Sequence, residues 1–322
     1  MVPTKLLMHL PDGFLSIPVS ILLWIISIVV ISIALRKTSH QLGEREIPLM
    51  GILAAAIFAG QMLNFSITGG TSGHLLGAAL ATILLGPWAA ILVMTSVVSI
   101  QALLFQDGGL IALGANLFNM AVVGVFVSYA IFNIVKKMVK NDRLGLFSGS
   151  VLSAWASIFV ASLACALELS LSGTSPANLA VPAMAAIHAL IGVGEALITL
   201  GAISFIFTAR KDLLKSTESG TGSALGIMFG GGLITLTLAV LSPLASAHPD
   251  GLEWVAEQQG FISNARDSIF NLIPNYVFPW LKNQAAATIL AAIIGVVVVF
   301  TIVYGIARTR KKAIQEQGVR FD

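Results

Sequence analysis

Charged side chains are scarce in this sequence: Asp, Glu, Lys and Arg make up 10% of its 322 residues, against about 25% in soluble globular proteins. Hydrophobic residues make up 57%, and mean hydropathy is +0.92. Basic residues exceed acidic ones by only three, eighteen against fifteen. This composition excludes a pair of soluble domains and a nucleic-acid-binding protein, and it predicts a polytopic membrane protein.

Cysteine and catalytic motifs are equally sparse. The single cysteine, Cys165, lies within an apolar run, which excludes an intramolecular disulfide and a thiolate metal cluster. Any metal must therefore bind to nitrogen or oxygen ligands. The sequence also lacks a GxxxxGK[ST] nucleotide-binding loop and an HExxH motif. We therefore expect no ATPase or zinc-protease activity in this chain, and no enzyme function.

Apolar runs long enough to cross a bilayer as helices occur seven times, apart from one ambiguous stretch. They cover residues 17–35, 47–63, 109–135, 147–171, 181–208, 224–242 and 285–307.

The ambiguous stretch, residues 75–105, contains Gly86-Pro87-Trp88, and proline interrupts helical hydrogen bonding. Short loops rich in Lys and Arg remain cytoplasmic. If the stretch crosses twice, as a short helix ending at Leu85 and a second one from Pro87, all four basic loops lie on the cytoplasmic side. We therefore predict an all-α membrane helix bundle with about nine crossings, including one short broken helix.

The predicted topology divides the chain into two modules. Residues 8–215 form a module of about seven spans, and the polar segment 216–223 is a cytoplasmic linker. Residues 224–322 form a second module, in which two spans flank a small outer polar stretch, 243–284. The segment before Ile17, the loop 64–75 and the loop 172–180 are also expected outside.

Two histidines, His9 and His74, lie on the predicted outer side. A single histidine in such a place more often makes an interhelical hydrogen bond than binds a metal. The loop around His74 contains four glycines, which let the backbone approach another segment closely. That loop is equally consistent with a tight turn that only packs.

Three segments carry a family resemblance: MHLPDGFLS (8–16), NFSITGGTSGHLLGAALATILLGPW (64–88) and HALIGVGEALIT (188–199). Together they resemble the substrate-binding membrane component of nickel and cobalt energy-coupling-factor (ECF) importers, the CbiM/NikM family. The segment SPLASAHPDGLEWVAEQQGF (242–261), with the final span, resembles the PDGLE-type (CbiN/NikN-like) small component. The chain as a whole resembles a fusion of the two.

The resemblance implies a substrate-capture subunit of an ATP-driven ABC importer in the plasma membrane. Its partners would be a transmembrane coupling (T/Q) subunit and ATP-binding cassette subunits, and its substrate Ni(II) or Co(II), with no organic cofactor. A secondary, proton-coupled transporter using Glu168 and Glu195 is the alternative. The lack of inverted repeats disfavours it.

The resemblance also implies a metal site at a free N-terminus that opens with Met-His. Its ligands would be the amine of Met8, the amide nitrogen and imidazole of His9, and the imidazole of His74. The first three close a five-membered and a six-membered chelate ring. A planar nitrogen set suits Ni(II), Cu(II) and, less well, Co(II).

Residues 1–7, MVPTKLL, depart from the family pattern because they precede Met8. If they were retained, the nitrogen of Met8 would be a secondary amide, which is a poor ligand. We therefore expect that translation starts at Met8 or that the extension is removed.

Other polar residues have weaker claims. Asp12 and Gly13 are expected to form a turn that folds the N-terminal segment back. Side chains that could hydrogen-bond the second nitrogen of a liganding imidazole are Asn64, Ser66 and Thr71. Groups expected to tie helices or subunits together are Asn116, Asn119, His188 and Glu195. Glu168, like His188 and Glu195, lies within a span, where an ionisable group is a functional candidate.

The outer polar stretch contains His248, Asp250 and Glu253. These side chains could form a capture site that feeds the metal to the first module. The simpler interpretation is a structured cap in which Asp250 turns the chain and the carboxylates remain solvated.

Overall fold

A computed structural model describes residues 8–39, 45–214, 224–268, 272–278 and 280–318. Residues 1–7 and the predicted linker 216–223 lie outside these ranges. The helices are α1 Ile17–Ser39, α2 Glu46–Gln61, α3 Ala78–Phe105, α4 Leu113–Leu117, α5 Gly124–Met138, α6 Asp142–Leu171, α7 Ala177–Ala209, α8 Ala224–Leu241, α9 Gly251–Gln258 and α10 Gln284–Gly318. A π-helical turn, Phe118–Val123, joins α4 to α5, and short 3-10 turns cover Lys211–Leu214, Ser242–Leu244, Ile262–Asn264 and Pro274–Tyr276.

Seven helical segments are long and apolar enough to cross a membrane, and α2 is a shorter apolar helix. α1 shows the reason for a membrane location, since large apolar side chains on its outer face, such as Ile21, Leu22 and Ile25, are more than half exposed. Lipid is the medium that such a face requires. The prediction of an all-α, polytopic membrane bundle is confirmed. The structure adds one small antiparallel hairpin, β1 Phe65–Ile67 with β2 Thr71–Gly73.

Helix α3 is broken at Gly86, whose backbone angles (φ 76°, ψ 170°) are not helical. A straight helix of this length would separate its ends by about 42 Å. Instead, His9 approaches residues just beyond both ends: its ring lies 5.6 Å from that of His74, and its Nδ1 lies 3.2 Å from Asp107. The chain therefore turns back at Gly86, as the Gly-Pro dipeptide predicts, and the described chain makes nine passes.

Three of the four basic loops meet at one end of the bundle, which we call the basic end. Arg45 donates a hydrogen bond to the carbonyl of Asp212, and Arg210 forms an ion pair with the Asp212 carboxylate at 2.9 Å. Arg143 and Lys211 both lie over the ring of Phe207. The segments containing His9, His74 and Asp250 meet elsewhere, at what we call the site end.

Small side chains allow the helices to pack closely. α6 lies along α5 and α7, and α2 lies between α8 and α10. Fully buried alanines occur on these helices, as is typical of membrane helix interfaces; examples are Ala54, Ala154, Ala291 and Ala292. The second module is therefore packed against the first, because α8 and α10 belong to it.

Candidate metal site

His9 lies in an extended segment, residues 8–16, that enters the site end before α1 begins. Its side chain is only 4% exposed. Nδ1 lies 3.2 Å from Oδ1 of Asp107, but neither ring nitrogen makes a well-aligned hydrogen bond within the described residues. A buried imidazole without a hydrogen-bond partner is costly, and a bound ligand would remove that cost.

His74 follows strand β2 and faces His9, with 5.6 Å between ring centroids and 61° between ring planes. Its Nδ1 donates to the carbonyl of its neighbour Leu75 at 3.0 Å, which leaves Nε2 as the acceptor nitrogen. Nε2 lies 4.0 Å from a carboxylate oxygen of Asp250. Burial, and then the nearby His9, lower the pKa of His74, so its ring is neutral at pH 7.

Side chains of two other helices hydrogen-bond to the backbone of the loop after His74 and fix its position. Glu195 of α7 accepts hydrogen bonds from the N–H groups of Leu76 and Gly77, at 2.6 and 3.0 Å. Gln61 of α2 donates to the carbonyl of Leu76 at 2.8 Å. Gly77 has a φ of 81°, which glycine adopts without strain.

The predicted partners of the second imidazole nitrogen are wrong. Ser66 Oγ bonds Ser246 Oγ, and Thr71 Oγ1 bonds the carbonyl of Pro249. The hydrogen bond expected from Asn64, Ser66 or Thr71 is made instead by the carbonyl of Leu75, which accepts from Nδ1 of His74. This carbonyl follows His74 directly in the chain and is therefore already within reach of the ring. Side chains in the hairpin instead hold the second module.

The segment that carries Met8 and His9 is held by hydrogen bonds to both backbone groups of Leu10 and to the side chain of Asp12. Asn116 accepts a hydrogen bond from the N–H of Leu10 at 3.0 Å and donates one to its carbonyl at 3.1 Å. The Asp12 carboxylate accepts from the successive N–H groups of Leu110, Ile111 and Ala112, just before α4. The turn expected at Gly13 is present, with a φ of 97°.

Asp107 is a buried carboxylate that the sequence interpretation missed. It accepts a hydrogen bond from the N–H of Met8 at 3.0 Å and another from the hydroxyl of Tyr276 at 2.8 Å. Burial is the largest single influence and would raise the pKa of Asp107, but the His9 ring, the Tyr276 hydroxyl and the His74 ring together outweigh burial and lower the pKa. One sequence signal was available, since Asp107 is the only acidic residue between Glu46 and Asp142.

The PDGLE segment of the second module covers the site. Ser72 donates to the carbonyls of Pro249 and His248, each at 2.8 Å, through its N–H and hydroxyl. Asp250 begins α9 by accepting from the N–H of Glu253 at 2.7 Å. The prediction that Asp250 turns the chain is thus confirmed.

The expectation that these carboxylates are solvated is wrong. Asp250 and Glu253 are 4% and 6% exposed, because α9 packs on α7 and the hairpin. Burial raises the pKa of Asp250 well above its usual range, and burial with the nearby Glu257 raises that of Glu253 to about 7. A cation close to Asp250 would favour its ionised form.

A cavity of about 80 Å³ lies between the two histidines and the helices behind them. Its lining includes His9, His74, His188, Asn116 and Asp250, together with the sulfur-containing side chains of Met8, Met120, Cys165 and Met184. Among the described residues, no three His, Cys, Asp or Glu side chains are grouped as a metal site. A metal in this cavity would therefore need backbone nitrogens as well as imidazoles.

The other polar groups that were expected to tie helices together do so only in part. Asn119 donates to Glu168 at 2.8 Å, joining the π-helical turn to α6. His188 instead donates to the carbonyl of Met184 within its own helix, α7. Glu195 contacts the loop of His74, so it supports the site rather than a separate proton path.

Comparison with protein-family models decides the family. A model described as the cobalt uptake substrate-specific transmembrane region, CbiM, matches residues 9–213. The chain belongs to the CbiM family. A second model, for the PDGLE domain, matches residues 225–312, so this CbiM chain carries a fused C-terminal PDGLE domain.

Relatives of this CbiM chain are named for nickel and for cobalt. A protein of Archaeoglobus fulgidus, provisionally named a fused nickel transport protein NikMN, is 36% identical over 95% of this chain and 100% of its own length. The fused nickel transport protein NikMN of Rhodobacter capsulatus is 31% identical, over 78% of this chain and 76% of its own length. The cobalt transport protein CbiM of Sorangium cellulosum is 32% identical, over 64% and 94%.

A solved structure supports the fold. The crystal structure of a truncated transition metal transporter aligns with a TM-score of 0.56 and 36% identity, covering 62% of this chain and 99% of that one. The protein is thus a multi-pass membrane component of a nickel/cobalt transport system and not an enzyme.

Proposed function

We propose that this chain captures Ni(II) or Co(II) at the outer face of the plasma membrane for an ATP-driven ECF importer. The observation that carries the proposal is the pair of the buried His9 and the partly buried His74, whose rings face each other beside a cavity. ATP hydrolysis belongs to partner cassette subunits, which act through a transmembrane coupling (T/Q) subunit.

The proposed ligands are four nitrogens. Met8 supplies its terminal amine, His9 its amide nitrogen and Nδ1, and His74 its Nε2. Nε2 is the available nitrogen of His74 because Nδ1 is bonded to Leu75. The Met8 amine requires that the chain begin at Met8, and a metal-bound amine retains hydrogens with which to contact Asp107.

The surrounding charge favours a cation. Asp107 contacts the Met8–His9 segment, and Asp250 lies beside His74. A divalent ion bound to one deprotonated amide nitrogen leaves a single net positive charge, which the Asp107 carboxylate would neutralise in a buried place.

The proposed orientation follows from the basic end. Arg45, Arg143 and Lys211 lie together there, and loops rich in Lys and Arg remain cytoplasmic. The site end then opens to the outside, and the basic end is available to partner subunits. We propose the division into residues 8–215, a linker at 216–223 and residues 224–322 on the same topology.

The test is nickel retention by the purified full chain, by which we mean the protein beginning at Met8. His9→Ala and His74→Ala should each abolish binding of one Ni(II), because each removes a ligand from a four-coordinate ion. His248→Ala is the matched control, since that histidine is exposed and should leave binding intact. Equilibrium dialysis with metal analysis measures the result, and a stoichiometric Ni(II) in either of the first two variants would refute the site.

A further inference from the structure

The C-terminal module places one side chain, Tyr276, beneath the N-terminal metal ligands. Tyr276 is buried, and its ring stacks on Phe105 at the end of α3, with 4.6 Å between centroids and 17° between planes. Phe58 of α2 lies on the same cluster, 6.4 Å from Tyr276. The ring thus packs against two aromatic side chains of the first module, which also contact each other.

The backbone at Tyr276 is strained. Asn275 and Tyr276 have φ values of 53° and 59°, a left-handed conformation that asparagine tolerates but that is strained for a bulky residue such as tyrosine. Such a conformation at Tyr276 is retained where surrounding contacts compensate. Here the compensating contacts are the aromatic stack and the hydroxyl's hydrogen bond to Asp107.

The Tyr276 hydroxyl and the ligand segment share one carboxylate. Oδ2 of Asp107 accepts from the Tyr276 hydroxyl at 2.8 Å. Oδ1 accepts from the N–H of Met8 at 3.0 Å and lies 3.2 Å from Nδ1 of His9. A carboxylate held at one oxygen has a fixed plane, so its second oxygen is fixed relative to both proposed nitrogen ligands.

We propose that Tyr276 is a positioning residue for the metal site, acting through Asp107 on Met8 and His9. This inference rests on the proposed function. It assigns to the fused PDGLE module a direct part in the geometry of a site whose ligands all belong to the first module. The stack on Phe105 fixes the position of the Tyr276 hydroxyl, and the hydrogen bond from that hydroxyl orients the Asp107 carboxylate.

The experiment compares Tyr276→Phe with Tyr304→Phe in the purified full chain, using Ni(II) alone as the probe. Tyr304 is the matched control because it belongs to the same module and also stacks on a phenylalanine, Phe300. Tyr276→Phe keeps the ring and removes only the hydroxyl. We expect about tenfold weaker Ni(II) binding, as for other groups that orient metal ligands, and a changed visible absorption of bound Ni(II). Tyr304→Phe should change neither.

A double-mutant cycle with Asp107→Asn separates positioning from a general loss of stability. If Tyr276 acts through Asp107, the double variant should bind Ni(II) no more weakly than Asp107→Asn alone. Additive losses, equal losses in Tyr276→Phe and Tyr304→Phe, or an unchanged affinity in Tyr276→Phe would overturn the inference. An unchanged affinity in Asp107→Asn would overturn it even if Tyr276→Phe did not fold. Absence of Ni(II) binding by the unaltered chain would instead refute the proposed function.

Discussion

The residues next to the proposed ligands are fixed by more contacts than the ligands themselves. Asn116 binds both the N–H and the carbonyl of Leu10, so one amide side chain sets the position of the residue after His9. An extended segment has no internal hydrogen bonds, and its placement depends on such contacts. Asn116 therefore contributes to holding the His9 ring in place.

Asn116→Ala should accordingly weaken Ni(II) binding without removing a ligand. Loss of two hydrogen bonds should cost about 2 kcal/mol, or about thirtyfold in affinity. Asn133→Ala is the control, because that half-buried amide donates to a carbonyl of its own helix, that of Tyr129. Titration of both variants with Ni(II) measures the difference, and equal affinities would show that Asn116 does not orient the segment.

Proton competition gives a second residue-scale prediction. Imidazole and amine nitrogens bind metals only as free bases, so Ni(II) affinity should fall as the pH drops below about 8, where a terminal amine takes up a proton, and should be weak below about pH 6. The lowered pKa of His74 keeps its ring neutral to a lower pH than an ordinary histidine. Dialysis across the pH range measures the effect, and an affinity that is constant with pH would indicate oxygen ligands.

At the scale of the elements, the break in α3 brings the two halves of the site together. Gly86 has a φ of 76°, and a Cβ at this position would meet no atom within 4 Å. The only obstacle to a side chain there is therefore the backbone conformation itself.

Gly86→Ala should lower the free energy of unfolding by about 1–2 kcal/mol, because alanine is strained at positive φ. Gly201→Ala in α7 is the control, since it also has open space for a Cβ but a helical backbone; it should be neutral or stabilising by up to about 1 kcal/mol. Unfolding midpoints in detergent compare them. Equal midpoints would mean that Gly86 is not constrained.

The elements were largely predictable from the sequence, and the contacts around the site were not. Hydropathy located each span to within a few residues, and Gly86-Pro87 together with the basic loops indicated the double pass. The Asp107–Tyr276 contact joins residues 169 positions apart, and no local pattern reports such a contact. The burial of Asp250 was also not predicted. A charged side chain indicates exposure to solvent, whereas the packing of α9 on α7 and the hairpin buries this one.

The whole molecule has a direction in the membrane, which can be tested with thiol reagents. Its single cysteine, Cys165, is buried, so Cys165→Ala gives a background for single exposed cysteines. In cells, His248→Cys at the site end should react with an impermeant maleimide, whereas Lys137→Cys should react only after permeabilisation. The reverse pattern would place the metal site on the cytoplasmic side.

Tyr276 also imposes an order on biosynthesis. The proposed ligands stand near the start of the chain, yet the hydroxyl that steadies Asp107 belongs to a segment that leaves the ribosome only after eight of the nine passes have been made. A nascent chain therefore cannot form the complete metal-site geometry before the segment that contains Tyr276 has been synthesised. Maturation of the binding centre would coincide with completion of the polypeptide, and incomplete translation products would hold nickel poorly.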